Sequence, residues 1–69
     1  MKEDKVFVVT AYRYGNKEWH SYVVGVFRDI NDANYAANDE EEFRGRKYYC
    51  EIVLITVDVP KQKTIVREC

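Results

Sequence analysis

The chain has few of the residues on which catalysis, metal binding and membrane insertion depend. Its 69 residues include one histidine, one proline, three glycines and two cysteines. No apolar run approaches the roughly 20 residues of a membrane span. The first residues, MKEDK, lack the apolar segment of a secretory signal. We therefore expect a soluble, cytoplasmic protein that makes no membrane contact.

The cysteines and acidic residues do not predict a metal site. Cys50 and Cys69 lie far apart, with no CxxC spacing and no nearby histidine, so neither a zinc site nor a disulfide framework is indicated. We expect two reduced thiols. The acidic run at 39–42 is predicted to be helical, and consecutive helix positions point away from one another rather than towards one ion. We expect no metal and no cofactor.

The sequence also argues against catalysis. His20 is followed directly by Ser21, but adjacent strand residues point to opposite faces, so the two cannot act as base and nucleophile. No glycine-rich phosphate loop or other catalytic motif is present. We expect no catalytic residues and no enzyme activity.

Composition predicts one small folded domain with an uneven charge distribution. The chain is 46% apolar and 14% aromatic, which is too apolar for a disordered segment. We expect a single domain over residues 1–69, with frayed ends at 1–5 and 67–69. The net charge is −1, but residues 29–44 contain six acids and one arginine, a local charge of −5. The flanking segments are mildly basic.

The first half of the chain predicts a β-hairpin. The segments VFVVTAYRY (6–14) and WHSYVVGVF (19–27) are rich in β-branched and aromatic residues. If Gly15 and Asn16 form a two-residue turn, Arg13 pairs with Glu18 and Tyr12 with Trp19. A four-residue loop is the alternative. The first register places Phe7, Val9, Ala11, Tyr22, Val24 and Val26 on one face, and Val6, Val8, Thr10, Tyr12, Tyr14, Trp19, Ser21, Val23 and Gly25 on the other.

The second half predicts a helix and one or two further strands. Asp29 is a suitable N-cap and Gly45 a suitable end for a helix over about 30–43. Its buried stripe would contain Ile30, Ala33, Ala36 and Ala37. A long central strand is predicted over 48–59, ended by Pro60, and residues 64–66 could add a short edge strand. The predicted class is α+β, a small antiparallel sheet of three or four strands in the order β-β-α-β, with one helix on one face.

Two surfaces remain as candidates for binding. One helix cannot cover both faces of the sheet, so Val6, Val8, Tyr12, Tyr14, Trp19 and Val23 would stay uncovered. Such a face indicates either a homodimer or a partner site. The outward side of the helix, with Asn31, Tyr35, Asn38, Asp39 and Glu42, is acidic and suits a basic partner. The predicted protein-binding residues are Tyr12, Tyr14, Trp19, Tyr35, Asn38, Asp39, Glu41 and Glu42.

The segments VFVVTAYRYG, YVVGVFRDINDANYAA and YYCEIVLITVDV resemble small, mostly uncharacterised β-β-α-β proteins of bacteriophages and Bacillus-like bacteria. In element order and acidity the chain is loosely similar to the small phage inhibitor of bacterial RNA polymerase. The resemblance implies a phage protein in the host cytoplasm that binds and inhibits a bacterial host protein, such as RNA polymerase or another nucleic-acid enzyme. We expect it to bind through the acidic helix and the exposed aromatic residues.

Two alternatives to host inhibition stay open. One is a homodimeric single-stranded nucleic-acid-binding protein that uses the aromatic sheet face, although the acidic charge balance argues against nucleic acid as a partner. The other is a DNA mimic that blocks a host defence nuclease.

Overall fold

A computed structural model describes residues 4–15 and 21–67 and shows one sheet with one helix. The strands are β1 (Lys5–Arg13), β2 (Ser21–Phe27), β3 (Tyr48–Thr56) and β4 (Thr64–Arg67), and the helix α1 spans Ile30–Phe43. The four strands form one antiparallel sheet in the order β2-β1-β3-β4. The predicted α+β class, the central position of β3 and the fourth strand are confirmed.

The helix begins and ends where its capping residues predict. The Asp29 side chain accepts a hydrogen bond from the Asn31 backbone N–H at 2.7 Å, which satisfies one of the N–H groups that a helix start leaves unpaired. At the other end Gly45 adopts a φ of +64°, a conformation that glycine takes at little cost. Ala33 and Ala37 are fully buried, and their small side chains let the helix lie close to the sheet.

The hairpin register differs from the predicted one. Tyr12 pairs with Ser21 rather than with Trp19. A two-residue turn at Gly15 and Asn16 is too short for this pairing. A further shift between Val9 and Thr10 leaves Val24 without a direct partner, which is a β-bulge. Residues 16–20, including Glu18, Trp19 and His20, lie outside the described residues.

The bulge also moves two residues to the opposite sheet face. Val26 now pairs with Val8 on the side away from the helix, and Gly25 pairs with Val9 on the helix side. The sequence-based assignment placed each of them on the other face. Alternation along a strand carries a one-residue slip through to every later position, and the unpredicted bulge supplies that slip.

The third strand is shorter than predicted. It ends at Thr56, not Val59, because the chain turns at Asp58, which has a φ of +70°. The Gln62 side chain holds this turn by accepting from the Thr56 N–H and donating to the Thr56 and Val59 carbonyls. At the two ends of the described chain, Lys5 begins β1 and Arg67 ends β4.

The core lies between the helix and one face of the sheet. Its buried residues are Val9, Ala11, Ala33, Ala37, Cys50 and Ile52. Half-buried side chains surround them, including Phe7, Tyr22, Val24, Phe27, Ile30 and Tyr48. The opposite side, which we call the open sheet face, is formed by Val6, Val8, Thr10, Tyr12, Ser21, Val23, Val26, Tyr49, Glu51, Val53, Ile55 and Ile65.

Candidate functional site

The predicted binding residues lie on two opposite sides of the molecule. Tyr35, Asp39 and Glu42 are exposed on the helix, whereas Tyr12 and Tyr14 lie at the open sheet face. The sheet and the helix layer separate these two groups, so one flat partner surface cannot contact both. Trp19 lies outside the described residues. Each surface is therefore a separate candidate site.

The first candidate is the outer helix surface, which we define as Asn31, Asp32, Tyr35, Asn38, Asp39, Glu42 and Phe43. All seven residues are exposed, and a rotation of about 100° per residue places them within one arc of the helix. The arc contains three carboxylates and no cation. Tyr35 is 73% exposed and Phe43 76%. Phe43 was not predicted as a binding residue, although it follows Asp39 by four residues, a spacing that marks one helix face.

The acids next to these residues serve the fold instead. Glu41 was predicted to bind a partner, but its side chain is only 14% exposed. Its carboxylate accepts from the Cys50 backbone N–H at 2.8 Å and from Arg67 Nη2 at 3.2 Å. Glu41 therefore links the helix to β3 and β4, and it does not belong to the outer helix surface.

Glu40 also turns inwards, towards a cluster at the end of β2. The Tyr22 hydroxyl donates to the Glu40 carboxylate, and Arg44 Nε donates to both, at 3.0 Å to Tyr22 and 3.2 Å to Glu40. The hydrogen bond from Tyr22, followed by that from Arg44, holds the pKa of Glu40 below its ordinary value. Burial, with the bond to Glu40, raises the pKa of Tyr22.

The second candidate is the open sheet face, with a tyrosine cluster at one end. Tyr12 stacks on Tyr49 with ring centroids 5.6 Å apart, and Tyr14 contacts Tyr49 at 4.9 Å. The Tyr12 hydroxyl donates to Glu51 Oε1 at 3.1 Å, and Lys63 Nζ lies 3.8 Å from Glu51 Oε2. Burial and the bond to Glu51 raise the pKa of Tyr12. The rings thus contact one another beside a carboxylate.

The rest of the open sheet face is mostly aliphatic. Val23 is 59% exposed, Val26 57% and Ile65 42%, while Val53 at the centre is 7% exposed. Polar side chains are few on this face, namely Thr10, Ser21 and Glu51. In antiparallel sheets with one solvent-exposed face, polar residues on that face alternate along each strand with apolar residues on the buried face. The open sheet face of this protein instead has mostly apolar side chains.

Within the described part of the chain, neither surface has a cluster of metal-binding side chains. Among residues 4–15 and 21–67, no three His, Cys, Asp or Glu side chains come close enough to hold a metal ion. Cys50 is fully buried, and Cys69 is not described. The one helix of the described chain is too short and too polar to cross a membrane.

Comparisons with known proteins give no indication of the function. No protein-family model matches the chain, and searches of curated proteins and of solved structures find no significant match.

Proposed function

We propose that the protein is a non-catalytic, phage-type inhibitor that binds a basic surface of a bacterial host protein through its outer helix surface. The host protein could be RNA polymerase or another nucleic-acid enzyme, whose basic groove fits this charge. The observation that carries the proposal is the exposure of Tyr35, 73% accessible beside Asp39 and Glu42. The phage setting follows from the resemblance of the chain alone.

The arrangement matches what protein recognition requires. Carboxylates on one side of a helix steer the approach of a basic partner. Tyrosine is enriched among the residues that carry most of the binding energy, because it buries a large area at small entropic cost. Three acids surround Tyr35 and Phe43 on this helix, and aromatic anchors with a charged rim are typical of such interfaces.

Solubility alone explains the acids but not the aromatic side chains. Exposed carboxylates keep many small proteins in solution. Exposed Tyr35 and Phe43 do the opposite, since large apolar side chains at a surface favour association. A surface selected only for solubility would carry polar residues at these two positions, so their presence supports a binding role.

Charge neutralisation provides the test. Asp39→Asn with Glu42→Gln removes two charges from the outer helix surface and keeps the side-chain shapes. The matched control is Asp4→Asn with Asp58→Asn, which removes two exposed acids elsewhere; asparagine tolerates the positive φ of Asp58. Tyr35→Ala tests the aromatic anchor.

The measurement combines capture and salt dependence. Tagged protein is used to capture bacterial proteins, and the recovered partner is then titrated at two salt concentrations. We expect the helix variant and Tyr35→Ala each to weaken binding at least tenfold, about 1.4 kcal/mol, and the control to bind as the unmodified chain does. Equal weakening by the control, or binding that ignores salt, would contradict the proposal.

The nucleic-acid alternative depends on a different observation. Tyr14 is 58% exposed. Arg13 precedes it in the chain, and the Tyr14 backbone N–H donates to the Lys47 carbonyl. A base could therefore stack on Tyr14 with two basic residues close by. Glu51 beside the cluster opposes this by repelling phosphates. A gel shift with single-stranded oligonucleotides tests it, and loss of a shift in Tyr14→Ala would favour it. Competition between DNA and the protein for the captured partner would favour the DNA-mimic alternative.

A further inference from the structure

We infer that the open sheet face binds a second copy of this chain, in a two-fold dimer whose two sheets pack face to face. This inference concerns the side of the molecule opposite the outer helix surface and does not depend on the proposed function. Three features of the structure support a second copy as the occupant.

The first feature is the area. The molecule measures 42 × 24 × 15 Å, and the shortest dimension fits one helix layer on one sheet layer. The rectangle spanned by the two longer dimensions is on the order of 1,000 Å² and sets an upper bound for this side of the molecule, compared with about 800 Å² per partner in stable complexes. The bound leaves room for a dimer on this side.

The second feature is charge. Among the described residues of the open sheet face, Glu51 is the one with a charged side chain, and its carboxylate already contacts the Tyr12 hydroxyl and Lys63. Each copy therefore brings this carboxylate to the interface together with its own cation. The outer helix surface, with Asp32, Asp39 and Glu42, would repel its own copy. Charge thus selects the sheet side for self-association.

The third feature is that the two ends of the face complement each other. Tyr14 projects at one end, 58% exposed. At the other end residues 55–60 form a shallow, open depression, lined by Ile55 of the open sheet face and by exposed Val57 and Val59 among others. Such an apolar depression can receive an aromatic ring of a second copy.

A two-fold axis would place each Tyr14 at the depression of the other copy. Face-to-face sheets lie about 10 Å apart with their strands within about 30° of each other. When the strands of the two copies run in opposite directions, the end with Tyr14 in one copy lies over the end with residues 55–60 in the other. The two-fold symmetry repeats this contact at both ends of the interface. A two-fold interface requires this self-complementarity, and no unrelated partner is needed to supply it.

The first experiment measures mass in solution. Light scattering after gel filtration at about 100 µM should give twice the 8.2 kDa of one chain. Val23→Lys with Val26→Lys, at two exposed positions of the open sheet face, should give the single-chain mass with an unchanged circular-dichroism spectrum. Tyr35→Lys with Asn38→Lys adds the same charge to the outer helix surface and should leave the dimer intact.

The second experiment tests the geometry and does not depend on those variants. Lys47 is exposed and lies at the level of Tyr14, so Lys47→Cys keeps the tyrosine in place. Lys47→Cys with Val59→Cys, in a chain that also carries Cys69→Ser, places thiols about 30 Å apart within one copy, since about ten residues of an extended strand separate them along the sheet. Oxidation should give a covalent dimer at least fivefold more abundant than in either single-cysteine chain, Lys47→Cys or Val59→Cys alone.

Several results would overturn the inference. A single-chain mass for the unmodified protein would do so, as would a dimer that survives the two lysines on β2 or is lost with those on the helix. A monomer that binds a single-stranded oligonucleotide through Tyr14 would assign the face to nucleic acid instead. A double-cysteine chain that yields no more covalent dimer than its controls would contradict the arrangement of the two copies.

Discussion

Removing the Glu41 carboxylate should destabilise the fold far more than removing the neighbouring Glu42 carboxylate. Glu41 contacts the Cys50 backbone N–H at 2.8 Å and the Arg67 guanidinium at 3.2 Å. Glu42 is exposed on the outer helix surface. The comparison of Glu41→Ala with Glu42→Ala therefore separates a structural acid from a surface acid one position away, with equal changes in helix propensity and net charge.

The size of the effect follows from these contacts. A hydrogen bond to a charged group contributes about 1.5–3 kcal/mol, and the N–H of a buried residue left unpaired costs about 1–3 kcal/mol. The pair with Arg67, whose side chain is 24% exposed, is partly screened and adds less than 1 kcal/mol. We expect Glu41→Ala to cost about 2–4 kcal/mol. A chain of this length has a free energy of unfolding of about 3–10 kcal/mol, so much of its stability would be lost.

Urea denaturation followed by circular dichroism measures both variants at one protein concentration. We expect a clear fall in the midpoint for Glu41→Ala and a change within about 0.5 kcal/mol for Glu42→Ala. Glu41→Gln keeps an acceptor for the Cys50 N–H and should lie between them. Equal free energies of unfolding for the two alanine variants would refute the assignment of Glu41 to the fold.

Two further variants test other parts of the structure. The folded state lowers the pKa of Glu40, so the contribution of Glu40 to stability is present above the pKa of an unfolded glutamate and is lost as pH falls through the lower folded value. The difference in unfolding free energy between the unmodified chain and Glu40→Gln should therefore shrink on acidification from pH 7 to pH 3. A difference that does not vary with pH would contradict this. At Gly25 an added Cβ would meet the far end of the Phe27 ring at 2.9 Å, so the ring must shift to make room. Gly25→Ala should therefore cost about 1 kcal/mol, the low end for overpacking, and shift the aromatic NMR signals of Phe27, whereas unchanged signals would contradict the contact.

Local sequence rules were sufficient for the elements but not for their register. The helix could be predicted because Asp29 and Gly45 act within one turn of its ends. The hairpin register depends on the loop between Gly15 and Ser21, and a turn rule based on Gly15 and Asn16 assumed the shortest loop. The bulge at Val24 then adds a slip, which Gly25 inside β2 could have indicated. Pairing between strands is a tertiary property, and side-chain packing determines it.

The same distinction explains what could be predicted of the candidate sites. The exposure of Tyr35, Asp39 and Glu42 follows from helix periodicity alone. The inward position of Glu41 depends on where β3 and β4 lie, because its partners are 9 and 26 residues away along the chain. That Tyr12 and Tyr14 lie on the side opposite the acidic helix likewise depends on which face of the sheet the helix covers. Sequence reasoning therefore identified residues of two surfaces and joined them into one site.

If the open sheet face is occupied by a second copy, the two proposals together constrain how the protein would act. Each dimer would carry two outer helix surfaces that point in opposite directions, with two helix layers and two sheet layers between them. One concave site on a host protein could then contact only one copy, so any gain from bivalency would require two host molecules or two distant sites. The Val23→Lys, Val26→Lys variant should be monomeric. If it binds the host protein with the same affinity as the dimer, each copy inhibits at a single site. If its affinity is lower, the dimer bridges two sites.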